Sequence, residues 1–274
     1  MNSPRPLLSL WSWDPLSILL CLLALGAVSW HFRSARRTAV ARARESLLVL
    51  GLALLVLGLL SPLAVLARNY LFSAHMAQHL LLLLVVPVLL LLGLPQTGVA
   101  SERRETGEGF GFGGALATWL AGVAAMWVWH IPALCSAATA DYWTYHVQTI
   151  SLLVLGTLFW WPIAGPNQRH HLSAPAGVAY LVTACFACTL LGIYITFAPV
   201  SVCPIYVHPA DPYGLLSKIQ TRWGLTAQVD QQIGGLMMWV PACLIYLSGV
   251  MGLLFRWYGH VQAPSIAVSN PHAT

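Results

Sequence analysis

The sequence predicts an all-α polytopic membrane protein, a seven-transmembrane-helix bundle with its N-terminus outside and its C-terminus in the cytoplasm. Of the 274 residues, 58% are hydrophobic and 8% are charged, whereas about one quarter of a soluble domain is charged. Apolar runs of roughly 18 or more residues, the length that crosses a bilayer as a helix, recur seven times. Basic residues are shared unequally between the two sets of connections, which predicts the orientation.

The predicted spans occupy most of the chain, which we interpret as a single transmembrane domain over residues 1–255. They lie at about 14–32, 45–66, 73–94, 113–131, 143–164, 175–197 and 230–255. The first run resembles a cleaved signal sequence, but Asp14 and Pro15 open it and five arginines between Arg33 and Arg44 close it. That is a stop-transfer pattern, so we keep it as a span. Most connections are short, and consecutive helices are therefore expected to be neighbours in one bundle.

Two connections and the C-terminal tail are longer. Residues 95–112 combine charged residues with several glycines and are predicted to form a flexible cytoplasmic loop. Residues 198–229 form an outer loop whose four prolines are turn-forming residues, and this loop is predicted to cap the outer mouth of the bundle. Residues 256–274 are predicted to be a disordered cytoplasmic tail.

The basic residues set the predicted orientation. With the N-terminus outside, nine of the 13 basic residues are cytoplasmic and four are outside. The cytoplasmic set is Arg33, Arg36, Arg37, Arg42, Arg44, Arg103, Arg104, Arg169 and Arg256, and the outer set is Arg5, Arg68, Lys218 and Arg222. Cytoplasmic loops retain Lys and Arg, which favours this orientation. The formal charge of +5 then reflects arginines in short loops that lie against anionic lipid headgroups. No nucleic-acid partner is predicted.

Four histidines are predicted to lie at one depth, near the outer surface. His75 and His79 begin the third helix, His130 ends the fourth, and His146 begins the fifth. A separation of four residues places His75 and His79 on one helix face, about 6 Å apart along the axis, a spacing that can chelate one metal. Ionisable groups in a membrane usually face the bundle interior and have a function.

Methionines and one carboxylate complete the candidate site. On the seventh helix, Asp230 is predicted at the outer edge and Met238 deeper in the bundle. Imidazole and thioether together suit copper, above all Cu(I). We therefore predict a copper site of the four histidines, with Met238 or Met76 as a soft ligand and Asp230 orienting a histidine ring through its second nitrogen. Met76 points about 100° away from His75 and is predicted to be either a ligand or lipid-facing.

Other interpretations of these residues remain open. An intramembrane histidine often only bonds a neighbouring helix, which would suit a metal-free assembly scaffold. Histidines on different helices, such as His79 and His146, are alternatively axial ligands of a haem. A copper transporter would use deeper stations at Cys185, Cys188 and Cys243, although small packing residues are the simpler interpretation of these cysteines. Cys135 and Cys203 both face the predicted outer side, where a disulfide between them could fix the long loop.

An enzyme is not predicted. The chain shows no nucleophile next to a general base and no phosphate-binding glycine loop.

Several segments in order resemble a known family. They are 73-SAHMAQHLLL-82, 93-GLP-95, 129-WHIP-132, His146 with 156-GTLFWWPI-163, and 230-DQQIGGLMMWVP-241. Over nearly the whole chain they resemble the CtaG family of cytochrome c oxidase assembly factors, the caa3-type group. Asp14-Pro15 after Trp13, and Ser61-Pro62 at the end of the second helix, fit this resemblance too.

The resemblance implies a role in assembling haem–copper terminal oxidase, by handling copper on the outer side of the bacterial plasma (inner) membrane. The implied partners are cytochrome c oxidase subunits, a periplasmic copper donor and membrane lipid. The family's motif positions correspond to His75, Met76, His79, His130, His146, Asp230, Gln231 and Met238. Family members often carry an acidic-histidine pair just after His146, where this chain has Gln148 and Thr149. His146 is thus the only imidazole that the resemblance implies on the fifth helix.

Overall fold

A computed structural model describes residues 10–34, 39–95 and 111–262. These residues fold into helices joined by short turns, and no β-strand occurs among them. Helices suit a bilayer because every backbone N–H and C=O group can be satisfied within the same segment. The predicted all-α class is confirmed.

The helices are numbered here in chain order. They are α1 Pro15–Ser34, α2 Ala39–Leu60, α3 Pro62–Asn69, α4 Phe72–Leu80, α5 Val86–Gly93, α6 Phe112–Val128, α7 Pro132–Ala140, α8 Tyr142–Ala164, α9 Ala174–Phe197 and α10 Ala227–Gln262. A π-helical turn, Leu81–Val85, joins α4 to α5. Shorter helical turns occur at Gln168–His170, Pro204–Tyr206 and Lys218–Arg222.

Within the described ranges, five helical segments are long and apolar enough to cross a membrane, or six if the bent pair α6 and α7 counts as one span. The five are Arg42–Leu60, Phe72–Gly93, Tyr142–Ala164, Ala174–Phe197 and Ala227–Gly259, and Pro15–Trp30 is a shorter apolar helix. A multi-pass membrane protein is therefore supported. The count of seven spans, the orientation and the domain boundary at residue 255 stay predictions.

Three of the differences between the predicted and the observed boundaries have a clear physical cause. The second helix ends at Leu60 rather than near 66, because Pro62 starts a new helix that Ser61 caps by accepting from the Leu63 N–H at 3.1 Å. The fourth ends at Val128, and the chain bends by 76° before Pro132 starts α7. A residue before proline avoids the α-helical conformation, and Ile131 is extended.

The third difference concerns the C-terminal tail. The last helix continues to Gln262, beyond residue 255 where the predicted span ends, and the cytoplasmic tail from residue 256 stays a prediction. Once a helix has left the apolar layer, its own hydrogen bonds continue to support the next turns. Residues 263–274 of the predicted tail, and most of the predicted loop at 95–112, lie outside the described residues.

The π-helical turn lies at a close contact between two spans. Pro87 has no N–H, so it cannot donate to the carbonyl of Leu83 four residues earlier, and its ring crowds that carbonyl. The helix accommodates this by widening over Leu81–Val85. Gly156 of α8 packs directly against the Leu83 carbonyl, where any Cβ would overlap the oxygen. The proline and the glycine thus fix how α8 and the third predicted span pack.

The segment between α9 and α10, residues 198–226, is here called the cap. The Cys135–Cys203 disulfide joins it to α7, with the two Cα atoms 5.7 Å apart. Gln231 at the start of α10 accepts from the Val202 N–H at 2.9 Å and donates to the carbonyl of Ile195 at 3.2 Å. Farther along, the Tyr70 hydroxyl donates to the Asp211 carboxylate at 2.8 Å. Covalent and polar contacts therefore hold this segment on the bundle, and its place on the outer side stays a prediction.

Lowering the pH is expected to loosen the cap at Asp211. Partial desolvation raises the pKa of this carboxyl, but hydrogen bonds from Tyr70 and from the backbone N–H groups of Leu215 and Leu216 outweigh it and lower the pKa. A carboxyl with a lowered pKa stabilises the fold above its unfolded pKa of roughly 3.9, and this contribution disappears as the pH falls through the lower folded value. Hydrogen exchange of cap peptides, corrected for intrinsic rates, should therefore rise below about pH 4. Asp211→Asn should remove this pH dependence, and an equal rise in that variant would contradict the assignment.

Candidate functional site

Three histidines meet beneath the cap. His75 and His79 come from one face of α4, with ring centroids 4.3 Å apart, as their spacing predicts. His130 lies in the bend between α6 and α7, and its ring centroid is 5.3 Å from that of His79. All three side chains are buried, with exposures of 1%, 3% and 4%. We call this set the histidine trio.

The hydrogen bonding of His130 shows which ring nitrogen carries the proton. Nδ1 lies 2.5 Å from the carbonyl oxygen of Met126, one turn earlier in α6. A carbonyl oxygen only accepts hydrogen bonds, so Nδ1 must be the protonated nitrogen. In the neutral ring, Nε2 then carries a lone pair, and it lies 3.0 Å from the thioether sulfur of Met76. An imidazole nitrogen and a soft sulfur are thus placed side by side.

The other two histidines have ring nitrogens without partners. Nδ1 and Nε2 of both His75 and His79 are buried and have no hydrogen-bond partner in the described part of the chain. The amide of Gln148 faces His79, but its Nε2 also lacks a partner that meets hydrogen-bond geometry. Most buried polar atoms in proteins are paired, and each unpaired group costs about 1–3 kcal/mol. Four such nitrogens in one cluster therefore need a physical explanation.

Asp230 fixes the start of the helix that carries His75 and His79. In place of the predicted hydrogen bond to a histidine ring, its carboxylate accepts from the N–H groups of Phe72 and Ser73 and from the Ser73 hydroxyl. The first N–H groups of a helix have no partner within the helix, and a negative charge at this end also suits the helix dipole. Asp230 therefore positions the trio from a distance, and we leave it out of the proposed ligands.

The cap closes over the trio through Tyr206. Its ring centroid lies 5.8 Å from that of Phe72 and 6.0 Å from that of His75. Its hydroxyl donates to the carbonyl of Ala67. Tyr206 lies three residues after Cys203, so the disulfide holds this part of the cap in place. An ion can therefore reach His75 from this side only when the cap moves.

His146 does not join the trio. Its Nε2 lies 3.3 Å from the carboxylate of Asp14, and its ring packs against Tyr142 and Tyr145 at centroid distances of 4.5 and 5.2 Å. Asp14 also caps α1 by accepting from the Ser17 N–H at 2.7 Å. The expected common pocket of four imidazoles is thus a trio and a separate His146–Asp14 pair.

The two methionine candidates are both buried. Met76 is not lipid-facing, since its side chain is 0% exposed and its sulfur contacts His130. The sequence left its orientation open, but α4 has neighbours on nearly all sides, and eight of its nine residues are buried. Met238 is 1% exposed and belongs to the same apolar core. Its backbone carbonyl accepts a hydrogen bond from Cys188.

The trio is not arranged as a finished metal site. Among the described residues, no group of three or more His, Cys, Asp or Glu side chains could hold a metal ion as they stand. The arrangement instead offers two adjacent rings with free nitrogens, and a third ring whose free nitrogen contacts a methionine sulfur. Such donors fit a soft ion that needs few ligands better than an ion that requires a full shell of oxygen or thiolate ligands.

Sequence reasoning did not identify the roles of Asp14, Gln148 and Tyr206. Asp14 was noted as the acidic residue that opens the first predicted span and as part of the family resemblance, but neither observation predicts a partner on α8. Gln148 follows His146 by two residues on α8, so it points to a different side of that helix and reaches His79. Tyr206 lies in a loop, where no periodic pattern predicts which residue it contacts.

Comparison with known proteins supports the family resemblance seen in the sequence. The family model for the cytochrome c oxidase caa3 assembly factor (Caa3_CtaG) matches residues 24–260. Uncharacterized proteins of Mycobacterium leprae (strain TN) and Mycobacterium bovis (strain ATCC BAA-935 / AF2122/97) are 23% and 25% identical over 204 and 206 residues. Each alignment covers 68% of this chain and 30% of the relative, so the chain spans less than a third of these relatives' length. No solved structure matches.

The matched region begins within α1, ends within α10 and includes the histidine trio, Met76, His146 and Asp230. The chain belongs to the cytochrome c oxidase caa3 assembly factor family.

Proposed function

We propose that this protein binds copper as Cu(I) at the histidine trio and Met76, and passes it to a haem–copper oxidase during assembly in the bacterial plasma membrane. The observation that carries this proposal is the set of four unpartnered ring nitrogens on His75 and His79. A bound cation would use lone pairs that otherwise remain buried without partners.

The ligand chemistry supports copper in its lower oxidation state. The donors are neutral imidazoles and one thioether, a set that suits Cu(I). The carboxylates of Asp230 and Asp14 are engaged by a helix N-terminus and by His146. Moving a monocation into a site without a negative ligand costs less desolvation free energy than moving a dication there, because the Born energy grows with the square of the charge.

The contact between His130 and Met76 supports the same choice. Two lone-pair donors 3.0 Å apart repel each other unless a proton or a metal ion lies between them. Small rotations of these side chains would bring both donors onto one ion. Release to the oxidase would then proceed by ligand exchange after the cap moves away from His75.

Copper content tests the proposal. Purified protein loaded with Cu(I) should retain near-stoichiometric copper after desalting, and His79→Ala should lose most of it, since His79 contacts both other rings. His208→Ala, which removes an exposed histidine of the cap, is the matched control and should retain copper. Equal, near-zero copper in wild type and His79→Ala would overturn the proposal. A visible spectrum of the same sample tests haem, which gives an intense Soret band.

His146→Ala separates the predicted four-histidine site from the trio. If copper is held by the trio, this variant should retain it, because His146 is paired with Asp14. If His146→Ala lost as much copper as His79→Ala, His146 would instead be a copper ligand, as the sequence predicts.

A metal-free scaffold for oxidase subunits is a second candidate. The observation that favours it is that no three-residue His, Cys, Asp or Glu group in the described ranges is arranged to hold a metal. Oxidase activity in cells that carry alanine at His75, His79 and His130 distinguishes the two functions. Full oxidase activity at normal protein abundance would favour the scaffold, whereas loss of activity that added copper restores would favour copper delivery.

A further inference from the structure

A pair of thiols lies in the membrane-spanning part of the bundle, away from the histidine trio. It sits in the contact between α9 and α10, which pack closely where Gly192 faces Gly235. Cys185 precedes Gly192 by seven residues, and Cys243 follows Gly235 by eight. Each of these steps is about two helical turns. Because the two helices are antiparallel, both cysteines lie at the same height along the helix axes. The small residues of the contact thus bring the two cysteines together.

The two sulfur atoms are in direct contact. Cys185 Sγ donates a hydrogen bond to Cys243 Sγ at 2.9 Å. The hydroxyl of Thr189 lies 3.2 Å from Cys243 Sγ. The Cys243 sulfur therefore contacts two hydrogen-bonding groups. Cys188 is one turn from Cys185 but is engaged elsewhere, with its Sγ 2.9 Å from the carbonyl oxygen of Met238.

A surface cavity reaches this pair. Its volume is about 210 Å³, and Cys185, Thr189 and Cys243 line it together with apolar residues such as Phe186 and Leu247. Phe186 and Leu247 are 66% and 56% exposed, so this side of the helices faces the membrane lipid. Both cysteines are partly exposed. A molecule that reaches them from this side must be uncharged and soluble in lipid.

We infer that Cys185 and Cys243 form a redox site that a lipid-soluble quinone oxidises to a disulfide. The Cys243 thiol adds to the quinone ring and forms a carbon–sulfur bond while its proton passes to one quinone oxygen. The Cys185 thiol then attacks Cys243 Sγ and its proton passes to the second ring oxygen, so that a sulfur–sulfur bond forms and the carbon–sulfur bond breaks with its electron pair remaining on the ring. The two protons of the thiols end on the two oxygens of the hydroquinone, which balances the oxidation of the thiols by two electrons.

The surroundings favour a disulfide over a metal complex. A disulfide has a bond length of about 2.05 Å, so the sulfur atoms need to approach by less than about 1 Å. Binding of Cu(I) by two thiolates would leave a net negative charge in the lipid layer. No basic residue lines the described cavity, and an uncompensated charge in this medium is costly. The disulfide is neutral and would link α9 to α10 covalently.

Counting thiols in the full-length protein tests the inference. In lipid nanodiscs without reductant, four cysteines are free, namely Cys21, Cys185, Cys188 and Cys243. Addition of decylubiquinone should lower the number of thiols that a maleimide alkylates after denaturation in SDS from four to two. A non-reducing digest should contain the peptide pair linked through Cys185 and Cys243, and one hydroquinone should form per disulfide.

Two variants make the test specific. Cys188→Ser keeps the pair and should still lose two alkylatable thiols, whereas Cys185→Ser should lose none. Retention of all four thiols in the wild type, or the same loss in Cys185→Ser, would overturn the inference. It would also be overturned if the thiols were protected only by Cu(I) and became reactive again on addition of a copper chelator. None of these outcomes depends on the histidine trio, so the proposed copper function is tested separately.

Discussion

Gly156→Ala is expected to destabilise the protein by about 3 kcal/mol, the upper part of the usual range for overpacking. The new Cβ would overlap the carbonyl oxygen of Leu83 and approach the rest of that peptide. Backbone in a π-helical turn cannot rotate away as a side chain can, so α8 must shift as a whole. Because α8 also carries Gln148 beside His79, the shift should disturb the histidine trio as well.

Thermal unfolding in detergent, followed by tryptophan fluorescence, measures this effect. Gly26→Ala is the matched control, since a Cβ there meets nothing within 4 Å. It should leave the melting temperature unchanged or raise it slightly, because alanine favours a helix over glycine by about 1 kcal/mol. Equal melting temperatures for the two variants would show that the contact between α8 and Leu83 is looser than described.

Asp230→Ala is expected to have the largest effect of any substitution near the trio, about 3–5 kcal/mol. It leaves the N–H groups of Phe72 and Ser73 and the Ser73 hydroxyl without their acceptor. Each buried group left unpaired costs about 1–3 kcal/mol, and partial rearrangement keeps the total below the simple sum. The start of α4 should become less ordered, and copper retention should fall because His75 lies only two residues beyond Ser73.

Asp230→Asn separates a positioning role from a direct one. The amide keeps the size of the side chain and one acceptor oxygen, so we expect an intermediate loss of stability and near-normal copper retention. If Asp230 were a copper ligand, Asp230→Asn would lose copper while the melting temperature changed little. Ser73→Ala, which removes only one donor to the carboxylate, should lower the melting temperature least of the three variants.

Much of the fold follows from local rules that the sequence displays. Apolar runs identify the long helices because burying a helix in lipid depends on its own composition. The pairing of His75 and His79 also follows, since a four-residue step returns to the same helix face whatever surrounds it. The depth of His130 was predicted in the same way, and the structure places its ring beside His79.

The membrane depth of a residue does not determine which neighbour it faces. His146 lies in the first turns of α8, but it faces Asp14, whose position depends on how α1 packs against the rest of the bundle. Gln148, two residues later, faces His79 instead. The rotation of a helix about its axis is set by its contacts with several neighbours, and the sequence of that helix alone does not define these contacts.

The sequence by itself determined that this chain is a helical membrane protein with a pair of histidines on one helix face, because hydropathy and helical period act within a single segment. Only the tertiary structure decided that Met76 faces His130, that Asp230 caps α4, and that Tyr206 closes over His75. Each of these contacts joins residues more than 50 positions apart, and such contacts form only when separate helices and the cap pack together.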